Sequence, residues 1–186
     1  MNSQQIKEIL LSEIHEVSIN YEKYCNDPKR DFSRKRKLPF ELMLKNIIGM
    51  GSKSITNELI DIFQASGEMP SASAFVQQRT KIRPEALKAV FDGFMSRILA
   101  SADKMRILAV DGSDIQVETN PKDKTSHIST SIDKKSFNLL HLNALYDLEE
   151  HVYTDAIIQA AKSQNEHGAL NEMVDRSDCY AGFRYA

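Results

Sequence analysis

The residue best suited to chemistry is Asp111. It ends the apolar run Arg106-Ile107-Leu108-Ala109-Val110 and stands directly before Gly112. A carboxylate carried out of a core by a strand is a hard oxygen ligand, a Mg2+ position when other carboxylates converge on it. The competing reading of an Asp-Gly pair is a turn whose carboxylate bonds its own backbone. Asp114, three residues on, falls on the opposite face of a continuous strand and is no evident partner. The five histidines, at 15, 127, 141, 151 and 167, show no metal-ligand spacing. His15 is expected on a helix and His141 in a strand, each as a packed or surface side chain. Cys25 and Cys179 form no CxxC pair, and neither has a basic or His neighbour to activate it. Walker-type and GxGxxG glycine loops are missing from the sequence.

A second chemistry is phosphate binding. Lys29 to Lys37 holds six basic residues in nine: Lys29, Arg30, Arg34, Lys35, Arg36 and Lys37. Such a run grips phosphates by several charges at once, and equally serves as a solvated linker. Downstream, the segments around Gly49-Met50-Gly51 have helix–turn–helix spacing, a pattern that many helical hairpins share. Its outward surface would carry Lys53, Thr56 and Asn57, with Gln77, Gln78 and Arg79 on the following helix. Gln and Asn can read adenine edges and Arg guanine edges.

The elements that must position these residues follow from periodicity. Ile6, Leu10, Ile14, Val17, Tyr21 and Tyr24 form one helical stripe, ended by Asn26-Asp27-Pro28. Pro39 suits a first helical position ahead of Phe40, Leu44, Ile47 and Ile48. Ser52 or Ser54 caps a helix with Ile55, Leu59, Ile62 and Phe63, and Ser66 to Pro70 closes it. A short helix follows from about Ser73 to Thr80. Another begins at Pro84, with Leu87, Val90, Phe91, Phe94, Ile98 and Leu99 on one face. From Met105 the pattern changes to strands: one over 106–112, a shorter one over 114–118, a loop over 119–136, a strand from Phe137 to Tyr146 and another from His151 to Gln159. A last helix starts near Asn165 with Leu170, Met173 and Val174 inward.

Composition fits a globular chain. Of 186 residues, 41% are hydrophobic and 27% charged, which excludes collagen-like and disordered classes. No apolar run approaches the roughly 18–20 residues of a membrane-spanning helix, and the first residues lack a signal peptide's basic and apolar regions. The expectation is a cytoplasmic protein without a membrane partner. The net charge of −2 is unevenly spread. Residues 29–106 carry fifteen Lys and Arg against eight Asp and Glu, while residues 107–186 carry seven against thirteen. A basic middle followed by an acidic end points to two functional parts.

Several stretches, in order, resemble one family. Arg30 to Phe40, Met50-Gly51-Ser52-Lys53-Ser54, Phe75-Val76-Gln77-Gln78-Arg79, Ala109-Val110-Asp111-Gly112-Ser113 and Leu140 to Asp147 are similar to DDE transposases of insertion-sequence family four. The similarity spans about residues 25–176. It implies an α+β chain: a helical DNA-binding region over 1–102, then the first strands and helix of an incomplete ribonuclease-H-like core over 103–176, with a divergent tail over 177–186. In that family two Asp and one Glu bind two divalent metals, Mg2+ in the intact enzyme, for in-line attack at phosphorus. The resemblance makes Asp111 the first catalytic, metal-binding Asp. It also implies terminal inverted repeats as the DNA partner, a homodimer in the intact family, and association with the nucleoid.

The second Asp of the family lies in an Asp-Arg-Gly-Tyr motif and the Glu in a later Tyr–Arg–Glu signature. Here Asp175-Arg176 continues as Ser177-Asp178, and neither motif is present. The expectation is therefore a truncated transposase, inactive alone. Two alternatives stand beside it: a fragment that only binds transposon ends and inhibits an intact relative, and an inert remnant.

Overall fold

The structure is a computed structural model describing residues 2–34, 37–67, 69–99, 106–129 and 135–176. It divides into two compact units, residues 1–102 and 103–186. No helix among the described residues is long and apolar enough to cross a membrane. The architecture is α+β, with six α-helices and an antiparallel four-stranded sheet among the described residues.

In the first unit, α1 (Ser3–Ile19) opens with a reciprocal cap. The Asn2 side chain accepts from the Gln5 N–H, and the Gln5 side chain accepts from the Asn2 N–H. The stripe continues past α1 only as a 3-10 turn, Tyr21–Tyr24. Backbone bonds then tie the chain to the start of the last helix of this unit: Arg83 N–H donates to Tyr24 C=O, and Asn26 N–H to Lys81 C=O.

The helix α2 (Phe40–Gly49) is central because its apolar residues face two ways. Phe40 and Leu44 pack with Ile14 and Val17 of α1 and with Ala86 and Val90 of α5 (Glu85–Leu99). Met43, with Leu38, packs against Leu59 of α3 (Ile55–Phe63) and Phe75 of α4 (Ala72–Arg79). Pro39 is the cap of α2 rather than its first residue, and Ser54 and Ser71 cap α3 and α4. Residues Gln64 and Ala65, both at positive φ, end α3 before the Ser66–Pro70 segment is reached.

The second unit is built on β3 (Phe137–Asp147). It pairs antiparallel with β1 (Leu108–Val117) on one side. On the other side it pairs with β4 (Val152–Ala160) and, at its start, with the two-residue β2 (His127–Ile128). The helix α6 (Glu166–Arg176) lays Ala169 and Met173 on Leu145, Leu108 and Ile157. Leu170 and Val174 are only half-buried.

Two expectations are corrected here. One strand, Leu108–Val117, stands where two were expected over 106–112 and 114–118, because the register with β3 runs unbroken through Gly112 opposite Asn143. The 119–136 loop contains β2 and is held by the fully buried Asn138. Its Oδ1 accepts from the Asn120 N–H at 2.7 Å, and its Nδ2 donates to Ser126 Oγ at 2.8 Å.

Candidate nucleic-acid interface and the Asp111 strand

The described part of the basic segment is a folded arm. Asp27 C=O accepts from the N–H groups of Arg30 and Asp31, and Asp27 Oδ1 accepts from Lys29 N–H. Asp31 Oδ2 accepts in return from Asp27 N–H at 3.0 Å. Phe32 then pins the arm to the core. Its ring meets Phe40 edge-on at 5.1 Å, and it packs against the residues around both α2 faces. It does so at φ 56°, a backbone region unfavourable for a side chain of this size. The exposed side chains of Lys29, Arg30 and Arg34 border a cavity of about 470 Å3, which Asp27, Asp31 and Lys81 also line. Four cations against two carboxylates leave this surface positive, as phosphate contact requires.

Other expected contacts fare differently. Lys35 and Arg36 lie outside the described residues, as does the 177–186 tail. Lys37 Nζ donates to Gly67 C=O at 3.1 Å. Lys53 pairs with Asp61, whose carboxylate raises the ammonium pKa. Gln77 and Arg79 are exposed on α4. Gln78 is not available to a base edge: it is buried, its amide reaches Leu38 C=O, and its Oε1 accepts from Lys81. Sequence reasoning put it outward because α4 is too short and mixed to mark an inward face. The α2–α3 turn has an anchor that spacing did not reveal. Glu58, itself buried, accepts from the N–H groups of Gly51 at 3.0 Å and Lys53 at 2.9 Å.

Asp111 lies in mid-β1 opposite Ala144, exposed, so the Asp-Gly turn is absent. Its side chain and that of Asp114 leave opposite faces of β1. Asp114 belongs to the α6 face, where its Oδ1 lies 2.8 Å from His141 Nδ1. On the other side of the ring, Glu166 Oε1 of α6 is 3.2 Å from His141 Nε2. No local spacing could have signalled this Asp114–His141–Glu166 grouping, since only strand register and the docking of α6 create it. Among the described residues no three His, Cys, Asp or Glu side chains form a set able to hold a metal ion.

Near the β3–β4 turn, Arg106 Nε donates to Asp147 Oδ2 at 2.6 Å. Burial alone would raise the Asp147 carboxyl pKa. The Arg106 guanidinium and the N–H groups of Glu150 and Glu149 outweigh it and hold the group below its ordinary value. The half-buried Asp123 is held at about 2 by bonds from Ser126 and Thr125. No family model matches the chain, and no curated protein or solved structure matches it either.

Proposed function

We propose that this chain binds DNA through its helical unit in the manner of transposases of insertion-sequence family four, and that by itself it neither cuts nor joins strands. The observation that carries the first half is the pinned arm, which presents Lys29, Arg30 and Arg34 around one cavity. Charges fixed on a folded arm meet successive phosphates without the ordering cost that a loose linker incurs. The exposed face of α4, with Gln77 and Arg79, supplies groups able to read base edges.

The second half rests on Asp111. In the proposed role it is the first of three metal-binding carboxylates, with Mg2+ as the metal that would activate the attacking oxygen. Mg2+ retains much of its water and needs several hard ligands, whereas the neighbouring Asp114 faces away and is engaged by His141. In this reading the partner is the transposon end, and the chain occupies that end without processing it.

The test is selection from a random duplex pool followed by titration of the enriched duplex over a range of salt. Each neutralised phosphate contributes about −0.9 to the slope of log K against log salt, so the three arm cations give a slope near −3 or steeper. Replacing Lys29, Arg30 and Arg34 by Ala should remove about that much. Enrichment of no sequence, or a slope unchanged in the triple variant, overturns DNA-end recognition by the arm. Mg2+- or Mn2+-dependent cleavage lost in Asp111→Ala overturns the claim of no strand chemistry.

A further inference from the structure

The α6 face of the sheet carries a cluster of buried polar atoms without hydrogen-bond partners. His141 is 5% exposed, and its Nε2 makes no hydrogen bond although Glu166 Oε1 is 3.2 Å away. Asn143, two residues along the same face and fully buried, leaves Oδ1 without a partner because its Nδ2 is used on Gln159 Oε1. Gly112 lies opposite Asn143 in the register. A Cβ on Gly112 would stand 2.9 Å from His141 Nε2 and 3.4 Å from Glu166 Oε1, so the missing side chain is what leaves room there. Buried polar atoms without partners are rare, and two of them on one small patch require an explanation.

Charge supplies it. Asp114 Oδ1 lies 2.8 Å from Nδ1 on one side of the ring. On the other side of the ring, Nε2 and Glu166 Oε1 approach to 3.2 Å without a hydrogen bond between them. A cation there would give Nε2, the Glu166 carboxylate and Asn143 Oδ1 a common partner. We propose that a divalent transition-metal ion, of the Zn2+ or Mn2+ type, binds between His141 Nε2 and Glu166, with Asn143 Oδ1 and water completing its shell.

The separation is right. Two ligand atoms about 2.0–2.1 Å from one tetrahedral metal stand about 3.3 Å apart. An imidazole nitrogen with a carboxylate suits Zn2+ or Mn2+ better than Mg2+, which prefers oxygen alone. Asp114 acts as the outer carboxylate that fixes the tautomer and orientation of a metal-bound histidine. Because Glu166 opens α6 while His141 and Gly112 belong to β3 and β1, the ion fastens the helix to the sheet. The site is separate from Asp111, which leaves the other face of β1.

The test uses the full chain, stripped with a chelator and titrated with Zn2+ and with Mn2+ against a chromophoric competitor. Co2+ absorption reports the geometry. The expected result is one bound equivalent, weakened at least about tenfold in His141→Gln, Glu166→Gln and Asp114→Asn. Gly112→Ala should lose it too, by filling the space. Glu166 is exposed, so its variant keeps the fold if His141→Gln does not. The neighbouring surface variant His167→Gln should bind as the parent does. Binding unchanged in Glu166→Gln, or lost in His167→Gln, overturns the site. So does the absence of binding at millimolar Zn2+ and Mn2+.

Discussion

Replacing Gly93 by Ala should destabilise the helical unit, against the usual preference of helices for alanine. In an exposed helix interior the change stabilises by about 1 kcal/mol. Here the new Cβ would stand 2.1 Å from Glu13 Oε2 and 2.9 Å from Glu13 Cδ. Glu13 is 7% exposed on α1 and pairs with Arg97 of α5, so its carboxylate has little room to retreat. Forcing a group into a packed helix–helix contact costs about 1–3 kcal/mol, and displacing a half-exposed ion pair up to about 1 kcal/mol more. The balance is a loss of about 1–2 kcal/mol. In a Glu13→Ala background the obstruction is gone, and Gly93→Ala should stabilise by about 1 kcal/mol. The coupling between the sites is therefore about 2–3 kcal/mol, well above the error of a double-mutant cycle. Urea denaturation followed by circular dichroism at helix wavelengths measures it, since five of the six helices belong to this unit. Equal effects of Gly93→Ala in both backgrounds, or a gain in the parent, would refute the reasoning.

Three further outcomes follow from the same geometry. Phe32 holds a positive φ, so Phe32→Gly should be no less stable than Phe32→Ala, with an expected margin of about 1 kcal/mol in its favour; both should weaken DNA binding by releasing the arm. Removing the Glu58 carboxylate in Glu58→Ala frees two turn N–H groups, at a cost of about 1.5–3 kcal/mol in denaturant melts. Asp147 has a depressed native pKa, so its contribution is complete above the ordinary carboxylate range and disappears as pH falls through the native value. Acid titration of the sheet unit by NMR should therefore show a shallower loss of stability in Asp147→Asn than in the parent.

The helices could be read because their signals are local. Ser54, one of two hydroxyls expected to cap α3, does so, while α4 begins at Ala72, just ahead of the expected Ser73, and the two-sided pattern of α2 is explained by its central position. The sheet was legible in outline but not in detail. Asp111-Gly112 carries a turn signal, yet the glycine serves a strand that must make room for His141. β2 is two residues long and depends on Asn138, ten positions downstream of Ile128, so no window of sequence contains its cause. Phe32 is a lone aromatic among charges, without periodic partners to mark it as an anchor. The Asp114–His141–Glu166 grouping joins three elements, and its members are unremarkable in each of them.

The alternation in β3 has a consequence for how the chain reaches this state. The face under α6 carries His141, Asn143 and Asp147 beside Leu145, whereas Leu140, Leu142, Ala144 and Tyr146 lie half-buried on the other. Hydrophobic collapse alone would turn the strand over, since a slip of one residue exchanges the two faces. What opposes the slip is polar and specific: Asp147 with Arg106, Asn138 with Asn120 and Ser126, His141 with Asp114. The sheet unit is thus locally frustrated, with an oily but incorrect register competing against a native one held by directional bonds. Its folding speed should then depend on the ionisation of a few carboxylates more than on the amount of oil it hides.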